Sequence, residues 1–260
     1  MLRILTYNVH SCIGSDRKSN PARIAEVIAG CQPDIIALQE LDVRRARTGG
    51  IDQAHAIAAH LSMAVHFHPA LHVEEEKYGD AILTALPSRL VKVGPLPSLG
   101  EPRGALWVAV DVDGIELQVI NTHLGLSRRE RLNQVSTLLG PLWLGNPSCR
   151  FPRILVGDFN AVPRSAAYRM LIGSMKDAHS TMTAQRPSPT FPARLPLLRI
   201  DHIFLDSSTE AADVHVHRSR LARTASDHLP LIAEIGLPRP VPAGSGSVQA
   251  RRLISLAVEH

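Results

Sequence analysis

The chain has 260 residues, 45% of them hydrophobic and 20% charged, which fits one large globular domain or two small ones with enough chain to bury a core. Its formal net charge of +4 suits an anionic partner such as nucleic acid, a phosphorylated metabolite or an anionic lipid surface, without choosing among them. Three cysteines without CxxC spacing suggest neither a disulfide framework nor a thiolate metal site, and a reduced compartment is the default expectation.

The first residues, "MLRILTYNVH", contain too few apolar residues for a signal peptide or a membrane span, so we expect a cytoplasmic protein without a transmembrane segment. Strand-like runs follow in ten places: residues 2–8, 34–39, 64–68, 80–85, 105–112, 115–122, 153–157, 200–205, 213–217 and 229–235. Helical spacing of apolar residues appears in three places: residues 24–31, 57–61 and 132–139. Asp113 and Gly114 separate two alternating apolar runs and predict a tight antiparallel hairpin. Strands and helices therefore interleave, and we predict mixed sheet.

A change of composition marks the end of the folded part. The stretch "GLPRPVPAGSGS" at 236–247 is typical of a flexible linker. The stretch "VQARRLISLAVEH" after it predicts either a short amphipathic helix or a frayed tail. We therefore expect one folded domain over residues 1–235, followed by a linker and tail over 236–260.

Polar residues cluster where the predicted strands end or begin. Four runs end in such residues and two begin with them: Asn8; Glu40; Asn121 with His123; Asp158 with Asn160; and, at the starts, Asp201 and Asp227 with His228. In a mixed sheet the ends of strands share an edge with the starts of their antiparallel neighbours, so we expect one common cleft. For Asp158 and Asn160 taken alone, an Asx turn is the competing interpretation.

The acidic and amide residues of this set predict a metal site. Glu40 and Asp227, with the amide oxygen of Asn8, are hard oxygen ligands suited to Mg²⁺, which commonly takes its other ligands from water and a substrate phosphate. With two histidines and no usable cysteine, a zinc site is the weaker interpretation.

The remaining residues predict acid–base chemistry. Asp158 is a carboxylate that the metal does not need, so it could take a proton from attacking water. His123 or His228 would then donate to the leaving group or to a phosphoryl oxygen. Asp201 beside His228 would fix the tautomer of that histidine and raise its basicity. Hydrolysis of a phosphoester fits this set.

The ordered motifs resemble the endonuclease/exonuclease/phosphatase superfamily of deoxyribonuclease-like, metal-dependent phosphohydrolases. Seven blocks stand in the family's order over residues 2–235: "TYNVH", "DIIALQELD", "YGDAILT", "NTHLG", "VGDFNAVP", "RIDHIFL" and "SDHLPLIAEI". The resemblance implies an α/β (α+β) fold, a four-layer sandwich of two packed mixed β-sheets flanked by helices, with the active site at one edge. It places Asn8 and Glu40 at the metal-binding positions, joined by Asp227, with Mg²⁺ expected ahead of Mn²⁺ or Ca²⁺.

The resemblance also assigns roles around the scissile phosphate. Asp158 matches the water-activating aspartate, and Asn160 matches the amide that holds a phosphoryl oxygen. His123 matches a histidine that acts near the phosphate as an acid or a ligand. Asp201 with His228 matches the orienting pair of a carboxylate and an imidazole. The implied reaction is in-line attack by water without a covalent enzyme intermediate.

Three further residues carry open alternatives, and a fourth is a candidate helix cap. His10 is either a substrate contact or a buried, hydrogen-bonded histidine. Arg103 in "EPRGAL" is either a phosphate clamp or a solvated arginine. Asp80 stands where the family pattern leads us to expect Asn, and it is either a site residue or a surface acid. Ser127 is a candidate N-cap for the helix that follows "NTHLGLS".

Motifs of this kind do not specify the substrate. The "NTHL" block and the compact segment "TFPARLPLLRIDHIF" resemble the small sphingomyelinase-like members, and 4% aromatic content offers few platforms for stacking bases. We therefore predict a metal-dependent phosphodiesterase acting on a phospholipid head group or a small phosphodiester, with peripheral membrane contact as an option. A DNA nuclease or repair enzyme is the alternative, and a non-catalytic binding protein on the same fold is a second one. Exposed apolar loops beside the site would favour lipid, and a continuous Lys/Arg track would favour a polyanion.

Overall fold

The structure of the protein is a computed structural model that describes residues 1–181 and 188–238. The greater part of the predicted linker and tail, residues 239–260, lies outside the described residues. The described chain forms these strands: β1 Leu2–Asn8, β2 Ile35–Val43, β3 Ala64–Val73, β4 Glu76–Thr84, β5 Ser88–Leu96, β6 Arg103–Val112, β7 Ile115–His123, β8 Arg153–Asp158, β9 Lys176–Asp177, β10 Asp201–Leu205, β11 Glu210–Val216 and β12 Leu231–Gly236. Its α-helices are α1 Pro21–Ala29, α2 Gln53–Leu61, α3 Arg128–Leu139, α4 Ala166–Ile172 and α5 Ala222–Ala225.

All ten predicted runs fall on strands, and the three predicted helices are α1, α2 and α3. The prediction missed β5 and β9 as well as the short helices α4 and α5. Strand β5 lies at the edge of its sheet, carries Gly94 and Pro95, and is largely exposed, so it lacks the apolar run that marks a buried strand. Strand β9 has only two residues, which is too short for any periodicity.

The strands form two six-stranded sheets. One has the order β11-β12-β1-β2-β4-β3, and the other has the order β5-β6-β7-β8-β10-β9. Each sheet is mixed, because β1 and β2 are parallel in the first and β7 and β8 are parallel in the second, whereas the remaining pairs are antiparallel. The predicted hairpin is confirmed: Val112 pairs with Ile115, and Asp113 and Gly114 between them both have positive φ.

Alternation along the strands divides the apolar residues between two cores. In β6, Leu106 and Val108 belong to the core that also holds the first sheet and its helices α1 and α2. Trp107 points the other way and packs with Val135 and Leu138 of α3. Because side chains two apart share a face, one strand serves both cores. The layers are therefore helix, sheet, sheet and helix, which confirms the predicted four-layer sandwich.

Local side-chain hydrogen bonds begin the helices where the sequence indicates. Ser127 caps α3 and forms a capping box with Glu130, which confirms the predicted N-cap. Glu130 also accepts hydrogen bonds from the backbone N–H groups of Leu99 and Gly100, so the cap joins α3 to the loop before β6. Among the described helices, none has the length and apolar content needed to cross a bilayer.

Candidate active site

The two sheets bring their polar strand ends to one edge of the sandwich. In the second sheet Asp158, the last residue of β8, is the register partner of His123 on one side and of Asp201 on the other. Asn8, the last residue of β1 in the first sheet, donates its amide Nδ2–H to Asp158 Oδ2 at 3.0 Å. This bond spans the two sheets, so residues far apart in sequence meet at one carboxylate.

Asp158 uses its two oxygens differently. Oδ1 accepts a hydrogen bond from the backbone N–H of Asn160 at 2.9 Å, so the Asx turn considered from the sequence is present. Oδ2 faces the site and lies 3.5 Å from His123 Nε2 and 3.7 Å from His228 Nε2. The turn therefore fixes the carboxylate while it leaves one oxygen for chemistry. Burial, with the nearby charge of Asp201, raises the pKa of Asp158.

His228 lies between two carboxylates. Its Nδ1 is 2.9 Å from Asp201 Oδ2, and Asp201 is fully buried. Although burial works against the charged imidazole, the carboxylates of Asp201 and Asp158 raise the pKa of His228 to about 10. His228 is thus an imidazolium at neutral pH, and its charge favours the ionised form of Asp158.

His123 is held in the opposite protonation state. Arg103 donates from Nη1 to His123 Nδ1 at 2.8 Å, and since a guanidinium cannot accept, the neutral imidazole must carry its proton on Nε2. Burial and the charge of Arg103 lower the pKa of His123 to about 3, so the ring stays neutral. Asn160 Nδ2 lies 3.1 Å from this Nε2–H and also donates to the carbonyl oxygen of Leu124. Two donors therefore stand side by side without accepting from each other.

Glu40 differs from the prediction in its place on the strand. Strand β2 does not end at Glu40 but continues to Val43. A bulge between Leu38 and Leu41 interrupts its pairing with β4, and Glu40 has a φ of 62°. The bulge lets the chain reach the site in mid-strand, because it breaks the alternation that would otherwise decide where Glu40 points. A hydrogen-bond pattern of this kind depends on β4 and is not visible in the run "DIIALQE".

Glu40 and Asp227 bracket a position suited to a cation. Glu40 Oε2 and Asp227 Oδ1 lie 3.5 and 3.7 Å from the same atom, Nδ1 of His10. The interaction with Glu40 raises the pKa of His10. Asn8 presents Nδ2 to Glu40 at 2.9 Å, while its Oδ1 accepts from the backbone N–H of His10 at 3.0 Å. As they stand, these two carboxylates and His10 do not place their ligand atoms within 4.8 Å of one another. To hold one divalent ion, the two carboxylates would have to move closer together and Asn8 would have to turn its amide.

A second group of potential ligand atoms is buried beside this position. Asp158, Asp201 and His228 each place one such atom within 4.8 Å of the others. The carboxylates of Asp158 and Asp201 also raise the pKa of His228, so a cation bound here would compete with a protonated imidazole.

The structure decides the remaining alternatives. His10 is not buried, since its side chain is 47% exposed and lines the cleft. Arg103 is not a solvated arginine, because it is buried and pairs with Glu101 as well as with His123.

Asp80 is not a surface acid. It is buried and accepts a hydrogen bond from the backbone N–H of Glu40, and burial raises its pKa to about 8. Asn121 is fully buried and bonds across to the carbonyl oxygens of Leu38 and Ala81, so it ties the sheets together.

His10, Glu40, Arg103, His123 and Asp158 are among the residues that line a cleft of about 760 Å³, a volume typical of small-molecule sites. The lining residues that were not found from the sequence include Arg47, from the turn after β2, and Tyr78, from β4. The signal for Arg47 is its place in "RRARTGG", close behind the block that holds Glu40, but nothing local separates it from Arg44 and Arg45.

Apolar side chains stand exposed at the rim of the cleft. Leu126, Val162 and Leu198 line the cleft and are 74%, 39% and 43% exposed. Leu195 and Leu197 in the neighbouring loop are 67% and 69% exposed. Large exposed apolar side chains grouped around a cleft are typical of a binding surface rather than of inert protein surface.

The described residues therefore form a two-sheet sandwich with carboxylates, histidines and amides gathered at one edge. Residues 5–228 match the Endonuclease/Exonuclease/phosphatase family, and the chain belongs to that family of divalent-metal-dependent phosphoesterases and nucleases.

Known proteins show the same relationship. Protein YbhP of Escherichia coli K12 is 31% identical over 166 residues, which cover 63% of this chain and 64% of the relative, so the match spans less than two thirds of that relative's length. An endonuclease/exonuclease/phosphatase from Beutenbergia cavernae has a similar structure, with a TM-score of 0.74 and 25% identity over 91% of this chain and 72% of that one. A mannosyl-6-phosphatase of Bacteroides thetaiotaomicron shares the fold, with a TM-score of 0.73 and 21% identity over 91% of this chain and 100% of that one.

Proposed function

We propose that the protein is a divalent-metal-dependent phosphodiesterase that cleaves a phospholipid head group or a small phosphodiester by in-line attack of water. Residues 1–235 form the catalytic domain in this proposal. The observation that carries it is the pair of adjacent donors, His123 Nε2–H and Asn160 Nδ2–H, which lie 3.1 Å apart beside the carboxylate of Asp158. Two fixed donors that cannot satisfy each other are suited to one shared acceptor, and a phosphoryl oxygen is such an acceptor.

The side chains around this point divide the work. Asp158 takes a proton from water as the water oxygen bonds to phosphorus and the ester P–O bond breaks. His123 and Asn160 donate to the phosphoryl oxygens, where charge increases in the transition state. His228 gives a proton to the departing oxygen, and the proton held by Asp158, whose Oδ2 is 3.7 Å from His228 Nε2, restores the imidazolium.

Glu40 and Asp227, with Asn8, would hold the ion. Oxygen ligands of this kind suit Mg²⁺, Mn²⁺ and Ca²⁺, and we propose Mg²⁺ because it commonly binds to one or two carboxylates together with a substrate phosphate. When bound, it would supply positive charge to the phosphoryl group. His10, which now lies between the two carboxylates, would contact substrate at the mouth of the cleft. Arg103 acts through His123, since its Nη1 is committed to that imidazole.

The exposed leucines support an apolar substrate. Leu126, Val162 and Leu198 line the cleft and face solvent, and Leu195 and Leu197 extend the same rim. Burying such side chains in the acyl region of a lipid surface gains roughly 25 cal/mol per Å² of apolar area. A soluble polyanion such as DNA offers them no partner, which is why lipid is proposed ahead of nucleic acid.

The test is a substrate panel of an aryl phosphodiester, phospholipid vesicles and supercoiled plasmid, each with Mg²⁺, Mn²⁺, Ca²⁺ or EDTA. We expect metal-dependent hydrolysis that the isosteric Asp158→Asn variant loses without a change in melting temperature. The same metal-dependent rate in Asp158→Asn would contradict the proposed chemistry, and silence of the wild type across the panel would favour a binding protein.

Rim variants test the substrate class. The double variant Leu195→Ser/Leu197→Ser should lose vesicle hydrolysis while it keeps hydrolysis of the aryl diester. Leu142, which is 57% exposed in the segment after α3 and does not line the cleft, supplies the matched control Leu142→Ser. Preferred cleavage of plasmid, unchanged in the rim variant, would overturn the lipid assignment in favour of a nuclease.

A further inference from the structure

Arg47 lines the cleft, is held by several contacts and has no role in the proposed reaction. It lies in the short 3-10 turn Ala46–Thr48 after β2 and lines the same cleft as Glu40 and Asp158. Its side chain is 48% exposed, so the guanidinium faces the cleft rather than the core.

The side chain of Arg47 is held by the fully buried carboxylate of Asp42. Asp42 accepts from Arg47 Nε and from Nη2, each at 2.7 Å, which is the paired geometry that fixes a guanidinium plane. Ser11 accepts a further bond from Nη2 at 2.9 Å. Thr48 donates to Asp42 from the opposite side at 3.1 Å, and the guanidinium carbon lies 5.5 Å from the ring centre of Tyr78. Because these contacts already fix the Arg47 side chain, binding a ligand there costs little further rotamer freedom.

Three of the five N–H donors of Arg47 are used in this way. In the described part of the chain, Nη1 has no hydrogen-bond partner. The buried carboxylate of Asp42 accounts for the presence of a positive partner. It does not account for the Nη1 donor of Arg47, which has no partner among the described residues and belongs to a side chain that is 48% exposed at the cleft. A fixed guanidinium with an unused edge is suited to an anionic group, above all to phosphate.

The scissile phosphate already has its own donors. His123 and Asn160 belong to the second sheet, at the ends of β7 and β8, whereas Arg47 follows β2 in the first sheet. The cleft, at about 760 Å³, has room for more than one phosphate group.

We infer that Arg47 forms a second anion subsite, which binds a phosphate monoester carried by the substrate in addition to the diester that is cleaved. The inference rests on the proposed function, because it names the substrate class within it: a phosphodiester whose head group carries another phosphate. Arg47 is then a specificity-determining residue, and it acts on substrate affinity rather than on the reacting bond.

A matched pair of substrates tests this. Glycerol p-nitrophenyl phosphate is compared with the same diester carrying a second phosphate on the glycerol, and the readout is the ratio of their kcat/KM values. Wild-type protein should prefer the bisphosphate by about tenfold to a hundredfold, the range of charge-assisted hydrogen bonds, with the difference in KM. Arg47→Met should bring the ratio close to one.

Arg45 supplies the matched control. It lies 4.0 Å from the same Asp42 and 6.0 Å from the Tyr78 ring centre, but it does not line the cleft. Arg45→Met should keep the wild-type ratio. Arg47→Met removes the paired guanidinium of the buried Asp42, which then keeps only the Thr48 hydroxyl and the more distant Arg45. The double variant Asp42→Asn/Arg47→Met is therefore measured as well, and it should show the same ratio near one with a recovered melting temperature.

A wild type without preference, or an Arg47→Met variant that keeps it, would overturn the inference. If the wild type cleaves neither substrate, the proposed function fails, and the subsite is tested separately by binding.

The binding test measures by calorimetry, in EDTA, the affinity of the protein for the two corresponding methyl diesters, with and without the second phosphate. Tighter binding of the bisphosphate by wild type, lost in Arg47→Met, supports the subsite, and equal affinities refute it.

Discussion

Asp201 should act on the reaction only through His228. Asp201 is fully buried, does not line the cleft, and places Oδ2 2.9 Å from His228 Nδ1. A hydrogen bond between charged groups is worth about 1.5 to 3 kcal/mol, so its loss in the transition state corresponds to a decrease of roughly 10-fold to 150-fold. Asp201→Asn keeps the shape and removes the charge, and we expect kcat for an aryl phosphodiester to fall by that factor.

The assay is a double-mutant cycle with His228→Gln, measured at saturating metal and neutral pH. His228→Gln should cost more than Asp201→Asn, and the double variant should be no slower than His228→Gln alone, because Asp201 then has no imidazole to orient. Additive losses would refute this reasoning, since they would require Asp201 to reach substrate or metal by another route.

A matched control separates this effect from general loss of a buried acid. Asp177 is also buried and lies 3.7 Å from an imidazole, that of His202, but it does not line the cleft. Asp177→Asn should lower the melting temperature, because Arg199 and Tyr168 lose their acceptor, while kcat stays within a few-fold of wild type. A large drop in kcat for the folded Asp177→Asn variant would show that the cycle measures stability instead.

Two further predictions concern stability. Ser127→Ala removes the cap of α3 and should lower the free energy of unfolding by about 1 kcal/mol in urea titration, whereas Ser127→Thr should retain most of it; equal stability of all three would contradict the capping role. Burial lowers the pKa of His179 to about 4 in the folded protein. Between about pH 6.5 and 4 the unfolded chain is therefore protonated at this residue and the folded chain is not. The free energy of unfolding is thus highest above about pH 6.5 and decreases as the pH falls toward 4. The loss should be on the order of 2 to 3 kcal/mol and should shrink in His179→Gln; an equally steep pH dependence in that variant would assign the loss to other groups.

The sequence predicted much of this fold because alternation and turn chemistry are local. The hairpin at Asp113 and Gly114 and the cap at Ser127 depend on a few neighbouring residues, and each appears as expected. Strand β5 was missed because an exposed edge strand needs no apolar alternation, so its sequence carries little record of its structure.

The sequence by itself determined that Asn8, His123 and Asp158 end their strands, since a polar residue at the end of an apolar run keeps that position in any packing of the strands. Only the tertiary structure decided how those residues are used. The bulge at Glu40 depends on pairing with β4, and the proton on His123 Nε2 depends on Arg103 from the neighbouring strand. The exposed edge of Arg47 depends on a carboxylate buried five residues earlier. Each of these features is a contact or charge fixed by the packing of several elements, and a pattern within one element carries no signal for it.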